Sequence, residues 1–229
     1  KKAYGAWVRL RLESTPNVDF VEGHVEQLVF EARKIVGVRL IDGRFVSGRS
    51  VVVTTGTFLN GLVHVGMESR PAGRGGEPPA VHLGQQLRGL GFSVGRLKTG
   101  TPPRLSKASI DFEGGVRSGV FHVEHGDQTP TPLSFLTSTV RNSAACWLLH
   151  TSDHAHAVVK GNVGRSPLYN GAIRGIGPRY CPSFEDKVMR FPDRERHLLH
   201  LEPEGADVDE IYVNGLLMSL PAEVQAEVI

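Results

Sequence analysis

Residues 28–57 constrain the fold more than any other part of the chain. Apolar and polar side chains alternate over residues 28–30, 35–40 and 45–46, and Asp42-Gly43 is a strong signal for a tight turn. Alternation of this kind is typical of strands with one buried face, because successive side chains point to opposite sides of a sheet. We therefore predict three successive antiparallel strands, a β-meander.

A different pattern follows the meander. Residues 51–53 are three consecutive valines, a run typical of a strand buried on both faces in a parallel sheet, and the run leads into Thr54-Thr55-Gly56-Thr57. In doubly wound folds ligands bind at the carboxyl ends of such strands, where a glycine lets the backbone come close to the ligand. The order of elements predicts an α/β fold, namely part of an FAD/NAD(P)-binding, Rossmann-like domain of the disulfide-reductase-like type. The complete fingerprint G-x-G-x-x-G is not found in the sequence.

Periodicity predicts several further elements. Apolar residues at helical spacing predict helices over residues 4–12, 80–90, 155–163 and 184–191 and from Pro221 onward. Short apolar runs predict strands at residues 18–21, 94–97, 146–149 and 198–201. The strand at 146–149 makes Cys146 a residue of the core.

The most informative chemical feature is a cysteine directly before a helix. Ser183 is the predicted N-cap and Asp186 completes a shortened capping box, which places Cys181 just outside the helix N-terminus. The unpaired N–H groups there, the positive end of the helix dipole and nearby Arg179 favour the thiolate form. Glu185 and Asp186 oppose that shift.

The same N–H groups are suited to a phosphate, so residues 177–191 serve equally well as an anion cradle for a nucleotide. A structural cysteine in a loop is the third interpretation. Residue chemistry alone leaves the three alternatives open.

Charge and composition narrow the classes of protein. The formal net charge is only +2, so the whole chain is not a general nucleic-acid binder. The segment between Glu77 and Asp111 has no acidic residue and contains several cations, which favours phosphate contact or a solvated surface: Arg88, Arg96, Lys98, Arg104 and Lys107.

Two cysteines do not make a disulfide framework, which favours a reducing compartment. No stretch approaches the roughly 20 apolar residues that cross a bilayer. We expect the cytoplasm, or alternatively a mitochondrial or plastid matrix. The chain has no initiator methionine and stops inside a helical pattern, so we expect a segment of a longer protein.

Three chemical signals are rejected. Residues 91–95 match G-x-S-x-G, but the order of strand and helix around the serine is reversed. Histidines and an aspartate cluster at 122–125 and 150–156, yet metal ligands usually converge from separate elements, so no metal site is predicted. Nothing in the sequence shows that Glu202 and Glu204 share a site.

Several motifs occur together in a specific order. They are TTGTFLNG, GRGGEPP, VGRLKTGTPPR, GPRYCPSFEDKVMRF, LEPEG and IYVNG. With them the chain resembles, over essentially its whole length, the MnmG family, which is the glucose-inhibited division protein A group of tRNA-modifying flavoproteins. The resemblance implies part of the FAD-binding domain at residues 1–66, an inserted α+β NAD- and substrate-binding region at 67–200, and a return toward the FAD-binding domain at 201–229.

The resemblance also implies an activity. The parent enzyme binds FAD and NADH, acts as a homodimer with an MnmE-type GTPase, and adds a (carboxymethyl)aminomethyl group to C5 of the wobble uridine of certain tRNAs. Methylenetetrahydrofolate is the implied one-carbon donor, and we expect the segment alone to be inactive. The alternatives are a folate- and FAD-dependent tRNA uridine methyltransferase and a non-catalytic RNA-binding module.

Candidate site residues follow by position. The FAD candidates are Val25, Thr55, Gly56 and Ala80, the last at a place where family members often have serine. The tRNA candidates are Arg96, Lys98 and Arg104, and Cys181 matches a cysteine implicated in catalysis. The NAD candidates are Gly177, Pro178, Arg179, Tyr180, Cys181, Pro182, Ser183, Phe184, Glu185, Asp186, Lys187, Val188, Met189, Arg190 and Phe191.

Overall fold

The computed structural model describes residues 2–110, 112, 121–122, 132, 134–139, 146–177, 182–205 and 207–229. The helices are α1 Lys2–Glu13, α2 Val81–Gly89, α3 Asp153–Asn162, α4 Phe184–Arg190 and α5 Ala222–Val228. The strands are β1 Val25–Glu31, β2 Lys34–Leu40, β3 Phe45–Ser47, β4 Leu62–Val65, β5 Glu68–Pro71, β6 Arg104–Ser106, β7 Phe121–His122, β8 Trp147–His150, β9 Leu198–Pro203 and β10 Glu210–Asn214.

The predicted meander is confirmed. β1, β2 and β3 form a three-stranded antiparallel sheet in that order, with Leu28 opposite Val38. The β2–β3 turn is held by Asp42, whose carboxylate accepts a hydrogen bond from the Arg44 N–H at 3.0 Å. Gly43 in this turn has a φ of +87°, a conformation that glycine adopts without strain.

Helix α2 closes the open edge of this sheet. Leu83 of α2 packs with Leu28 and Ala80 in a small apolar cluster. The side-chain amide of Gln86 accepts from the Leu28 N–H at 2.7 Å and donates to the Leu28 carbonyl at 2.8 Å. One side chain therefore makes the two hydrogen bonds that a neighbouring strand would otherwise make with β1.

The predicted parallel strand at residues 51–53 is wrong. These residues form no strand, and Val52 is 85% exposed. A strand buried on both faces needs a neighbour on each side, and no strand among the described residues lies beside this run.

Two short predicted strands also differ from the structure. Residues 18–21 form no strand, and Phe20 is exposed. Residues 94–97 form only one parallel bridge, between Leu97 and Ile176. Short apolar runs become strands only where a partner backbone pairs with them, which local sequence does not specify.

A hairpin not predicted from the sequence contacts the segment that precedes α5. β4 and β5 pair around a two-residue turn, in which Gly66 has a φ of +56°. The Gly66 N–H donates to the Ser219 carbonyl at 2.8 Å. Close contact continues at Gly61, where an added Cβ would lie 2.3 Å from the Ala72 carbonyl oxygen.

The larger sheet has the order β6-β10-β9-β8-β7, and every pairing between its strands is antiparallel. Its core contains residues from three helices and two strands: Ala155, Val158, Val159, Phe184, Val188, Leu199, Leu201, Ile211, Val213, Val224 and Val228. β6 and β10 were not predicted as strands. β9 runs across position 200, where we expected one region to give way to the next.

The predicted core position of Cys146 is wrong, because this cysteine is exposed. Trp147 and Leu149 are the residues of this segment that pack against the core. Side chains alternate along a strand, so the residue before Trp147 does not share its face.

We expect Gly61→Ala to destabilise the protein by about 1–3 kcal/mol, because the new Cβ would meet a backbone oxygen that a rotamer change cannot move. The control is Gly89→Ala at the end of α2, where nothing lies within 4 Å of an added Cβ. That change should be neutral or stabilising by up to about 1 kcal/mol. Urea unfolding followed by tryptophan fluorescence measures both, and equal stability of the two variants would contradict the packing argument.

Candidate functional site

The helix N-terminus predicted to carry the chemistry forms as expected. The Asp186 N–H donates to the Ser183 hydroxyl at 3.1 Å, and the Asp186 carboxylate accepts from the Ser183 N–H at 3.4 Å. This reciprocal pair is the capping box. Phe184 and Val188 anchor α4 in the core, whereas Phe191, at the predicted helical spacing, is exposed.

The start of α4 is less suited to an anion than the sequence indicates. The Phe184 N–H already donates to the Leu217 carbonyl at 2.7 Å, and the Asp186 N–H is taken by Ser183. Glu185 and Asp186 add two carboxylates to the first turn. A phosphate binding to these two N–H groups would displace their present acceptors and approach like charge.

Asp186 is the centre of a polar network. Its carboxylate lies 3.4 Å from the Lys98 ammonium nitrogen, 3.3 Å from Arg190 Nε and 3.3 Å from the Tyr169 hydroxyl. Burial, followed by the charge of Asp186, raises the pKa of the Tyr169 phenol, so this hydroxyl keeps its proton at neutral pH and donates a hydrogen bond to Asp186. The network connects three segments that are distant in sequence.

A cavity of about 430 Å³ opens beside this network. Its lining combines apolar side chains with the polar groups just described: Leu168, Tyr169, Asp186, Met189 and Arg190. Apolar walls with a few convergent polar groups are typical of small-molecule sites. Three of the five lining residues belong to the predicted NAD segment.

Glu185, which precedes the cavity residue Asp186 in α4, has a buried carboxylate. Glu185 is fully buried, and its Oε1 accepts from the Ser219 N–H at 2.7 Å and the Ser219 hydroxyl at 2.9 Å, with the Ser166 hydroxyl at 3.4 Å. Among the described residues, Glu185 Oε2 has no hydrogen-bond partner. Glu185 therefore ties α4 to the segments before Leu168 and before α5.

Lys187 is the next polar residue of the helix. Its ammonium group donates to the Gly215 carbonyl at 2.9 Å. Burial lowers the pKa of this lysine. The bond attaches α4 to the turn after β10.

Several predicted site residues lie outside the described residues. These are Pro178, Arg179, Tyr180 and Cys181. The thiolate hypothesis for Cys181 therefore stays a prediction. Gly177 and residues 182–191 are described, and they lead into and form α4.

Ala80 lies beside the turn that follows the valine run. Its N–H donates to the Phe58 carbonyl at 2.8 Å, and its carbonyl accepts from the Asn60 N–H at 3.1 Å. The methyl group is buried in the apolar cluster with Leu83. The Ala80 side chain therefore offers no hydrogen bond to a cofactor.

The other FAD candidates lie around the same cluster. Val25 packs against it from the start of β1. The Thr55 carbonyl accepts from the Phe58 N–H at 3.0 Å and so closes a tight turn that contains Gly56. Gly56 has a φ of +55° and nothing within 4 Å of an added Cβ, so its backbone is open to approach.

The three tRNA candidates differ in how far their side chains are exposed to solvent. Arg96 is exposed and donates to the Asn60 carbonyl at 3.1 Å, and the Arg104 side chain is 44% exposed. The Lys98 side chain is only 15% exposed and lies against Asp186. Lys98 is thus engaged within the protein, whereas the two arginines face solvent.

Sequence reasoning missed a buried histidine pair. His156 and His197 are both buried, with ring centres 5.2 Å apart, and each packs edge-on against Phe184. The side-chain hydroxyl oxygen of Thr151 accepts a hydrogen bond from the backbone N–H of His197 at 2.9 Å. The same oxygen lies 2.7 Å from His156 Nε2. Burial lowers the pKa of both imidazoles. No sequence signal joins residues 41 positions apart, whereas the polar neighbours of His156 indicated a solvated side chain.

The structure bears on metal binding only within the described residues. Within the described ranges, no three histidine, cysteine or carboxylate side chains come together as metal ligands. Likewise, none of the helices in the described ranges is long and apolar enough to span a bilayer.

Fold and site together define a mixed α/β protein with the architecture of a solved GidA structure. The form I crystal structure of Aquifex aeolicus GidA matches with a TM-score of 0.86 and 41% identity, over 100% of this chain and 38% of that one. The form II crystal gives a TM-score of 0.84 and 38% identity, over 100% of this chain and 36% of that one.

Sequence comparison agrees with the structural likeness. The chain is 44% identical over 228 residues to the tRNA uridine 5-carboxymethylaminomethyl modification enzyme MnmG of Chlorobium luteolum, which covers 98% of this chain and 36% of that protein. It is 46% identical over 230 residues to the MnmG of Syntrophobacter fumaroxidans, which covers 100% of this chain and 35% of that protein. The chain thus spans about a third of the length of these relatives.

The model of the family "Glucose inhibited division protein A" matches residues 1–229. The chain belongs to this family, and the predicted resemblance is confirmed.

We expect Glu185→Leu to destabilise the protein by about 1–3 kcal/mol for each Ser219 donor left without an acceptor. Glu185→Gln keeps an acceptor and should cost less. Glu223→Gln is the control, because Glu223 forms an exposed ion pair with Arg165 and its loss should change little. Urea midpoints rank the three variants, and a Glu185→Leu protein as stable as the parent would refute the role of the carboxylate.

The buried histidine pair predicts that stability depends on pH. The unfolded chain takes up protons below the ordinary histidine pKa of about 6.5, whereas the folded chain resists them because burial lowers both pKa values. Stability is therefore full above about pH 6.5 and is lost as the pH falls toward the folded pKa values. Urea unfolding at several pH values measures the slope.

The double variant His156→Gln, His197→Gln should flatten that slope. His154→Gln, on the exposed side of the same helix, should leave it unchanged. An equal slope in the parent and the double variant would show that other groups carry the pH dependence.

Proposed function

We propose that this chain is the part of an FAD- and NADH-dependent tRNA-modifying enzyme that holds nucleotide and presents a reactive thiol. The enzyme adds a (carboxymethyl)aminomethyl group to C5 of the wobble uridine of certain tRNAs. One observation carries the proposal: the chain is 44–46% identical, over nearly its whole length, to relatives named tRNA uridine 5-carboxymethylaminomethyl modification enzyme MnmG.

In this proposal residues 1–66 complete a Rossmann-like FAD-binding domain with the remainder of the full-length protein. The open backbone at Gly56 supports the fit, because a cofactor can come close to a residue without a side chain. Thr55 supplies a hydroxyl at the same turn, and Val25 and Ala80 supply apolar contact. FAD would supply the redox chemistry, and these residues would bind and orient it.

The cavity beside α4 is the proposed place for part of NADH, within a region spanning residues 67–200. Arg190 is largely exposed at the cavity and suits a phosphate, and the oxygen of the Tyr169 hydroxyl, which donates its proton to Asp186, can accept from a ribose hydroxyl. Asp186 holds both side chains in place. The role of these residues is binding and orientation.

Cys181 is the proposed nucleophile. Addition of its thiolate to C6 of the uracil would place the C5–C6 π electrons on C5, which would bond to the methylene carbon of methylenetetrahydrofolate as one C–N bond of that carbon breaks and its electrons pass to nitrogen. Loss of the C5 proton and departure of the thiolate would restore the ring, and a primary amine would then replace the remaining folate nitrogen and release tetrahydrofolate. Two N–H groups at the start of α4 already have acceptors, so the thiolate that this step requires would depend on the charge of nearby Arg179.

The proposal includes the setting of the full-length protein. It acts as a homodimer in the cytoplasm, together with an MnmE-type GTPase. Arg96 and Arg104 are the proposed contacts to tRNA phosphates, since both are exposed. The 201–229 segment returns toward the FAD-binding domain.

The test uses the full-length protein carrying Cys181→Ser, with Cys146→Ser as the matched control at the exposed cysteine. We expect Cys181→Ser to lose at least about 100-fold in the rate of uridine modification, because a serine hydroxyl is a far weaker nucleophile than a thiolate. Cys146→Ser should keep the parent rate. Mass spectrometry of the tRNA nucleosides measures the product.

Three outcomes would count against the proposal. Full activity of Cys181→Ser would remove the nucleophile assignment. A product that carries only a methyl group, or a parent protein that binds tRNA without modifying it, would refute the proposed reaction.

A further inference from the structure

Three motifs that carry the family resemblance meet on one face of the larger sheet, and two of them have no role in the function proposed so far. Arg104 ends the segment GTPPR, Glu202 lies in LEPEG, and Tyr212 lies in IYVNG. In the sheet, Tyr212 of β10 is directly opposite Arg104 of β6 on one side and Glu202 of β9 on the other. The three side chains therefore form one row across three strands.

This row lies on the face of the sheet away from the helices. Ile211 and Val213, the neighbours of Tyr212, are buried in the core beneath α3, α4 and α5. Because side chains alternate along a strand, Tyr212 points to the opposite face. Asn214 follows two residues later on that same face and is exposed.

The row begins with a cation over an aromatic ring. The guanidinium carbon of Arg104 lies 5.0 Å from the centre of the Tyr212 ring. Arg104 is held there by the Thr101 hydroxyl, which accepts at 2.7 Å, and by Glu204, whose carboxylate lies 3.5 Å from its Nε. A planar guanidinium fixed on a ring provides a flat, partly exposed platform for another planar group.

The other end of the row offers hydrogen bonds. The Asn214 side-chain amide donates one N–H to the Glu202 carboxylate at 2.9 Å. The second N–H and the carbonyl oxygen of that amide add a donor and an acceptor beside the carboxylate. The Arg104–Tyr212 platform thus lies next to the hydrogen-bond donors and acceptors of Asn214 and Glu202.

The charges here do not suit a phosphate as the main ligand. One guanidinium is accompanied by the two carboxylates Glu202 and Glu204, and Glu204 is already paired with Arg104. A neutral, flat ring with N–H and C=O groups on its edge is the complementary partner. Uracil has such an edge, with an N–H between two carbonyls.

We propose that the surface formed by Arg104, Glu202, Tyr212 and Asn214, which we call the sheet-face patch, binds an unpaired uracil base of an RNA substrate. The base stacks on the Arg104–Tyr212 platform, and its edge bonds with Glu202 and Asn214. This assignment rests on the proposed function, which supplies an RNA with an unpaired uridine. It gives Arg104 a stacking role in place of the phosphate contact.

The test measures RNA binding by the full-length protein. The probes are an RNA stem-loop with one uridine in its loop and the same stem-loop with cytidine at that position. Tyr212→Ala should weaken binding of the uridine probe by about 10-fold, the size expected for loss of one stacked base. Asn214→Ala and Glu202→Gln should reduce the preference for uridine over cytidine.

Arg104→Lys separates stacking from charge. Lysine keeps the positive charge but lacks the planar group, so binding should weaken while the salt dependence of the Kd stays unchanged. Arg88→Lys is the matched control, since Arg88 is exposed on α2. If Arg104→Lys binds as tightly as the parent while Arg104→Ala lowers the salt slope by about one, Arg104 contacts a phosphate and the patch is overturned.

A second measurement separates this proposal from the proposed function. NADH-driven reduction of the flavin is followed by absorbance on the same samples without RNA, and near-ultraviolet circular dichroism checks their folding. Folded variants with normal flavin reduction and unchanged RNA binding would overturn the sheet-face patch alone. A parent protein without flavin reduction would overturn the proposed function, whatever the patch does. Equal binding of the uridine and cytidine probes by the parent would also overturn the patch.

Discussion

The buried carboxylate of Glu185 is the interaction on which the arrangement of the site depends. It binds the backbone and hydroxyl of Ser219, and Ser219 in turn accepts from Gly66 in the β4–β5 hairpin. A short helix of seven residues has little stability of its own, so α4 needs such tertiary anchors. A buried carboxylate with one oxygen left without a hydrogen bond is costly, so Glu185 specifies one arrangement of these segments more than it adds stability.

The polar groups of the cavity and of the sheet-face patch lie on opposite sides of the apolar core. Asp186, Tyr169 and Arg190 surround the cavity beside α4, while Arg104 and Tyr212 lie on the far face of the sheet. Between them is a continuous apolar core from the helices to β9 and β10.

Local sequence predicted the elements whose signals are complete within a few residues. The meander and the capping box at Ser183 formed as expected, because alternation and side-chain capping are local chemistry. The strand predicted from the valine run at residues 51–53 was wrong, since no strand among the described residues pairs with it. The site follows the same division: the α4 segment was found from its motif, whereas Glu185 with Ser219 and the stacked histidines depend on contacts between distant residues.

The amide of Gln86 has a consequence beyond the packing of α2. An outer strand with unsatisfied backbone groups is an open template on which a second polypeptide can add by β-augmentation. At Leu28 both backbone groups are already bonded to a tethered side chain of the same molecule, which disfavours pairing of a second chain at this residue. A single glutamine thus takes the place of a strand at this point of the sheet edge.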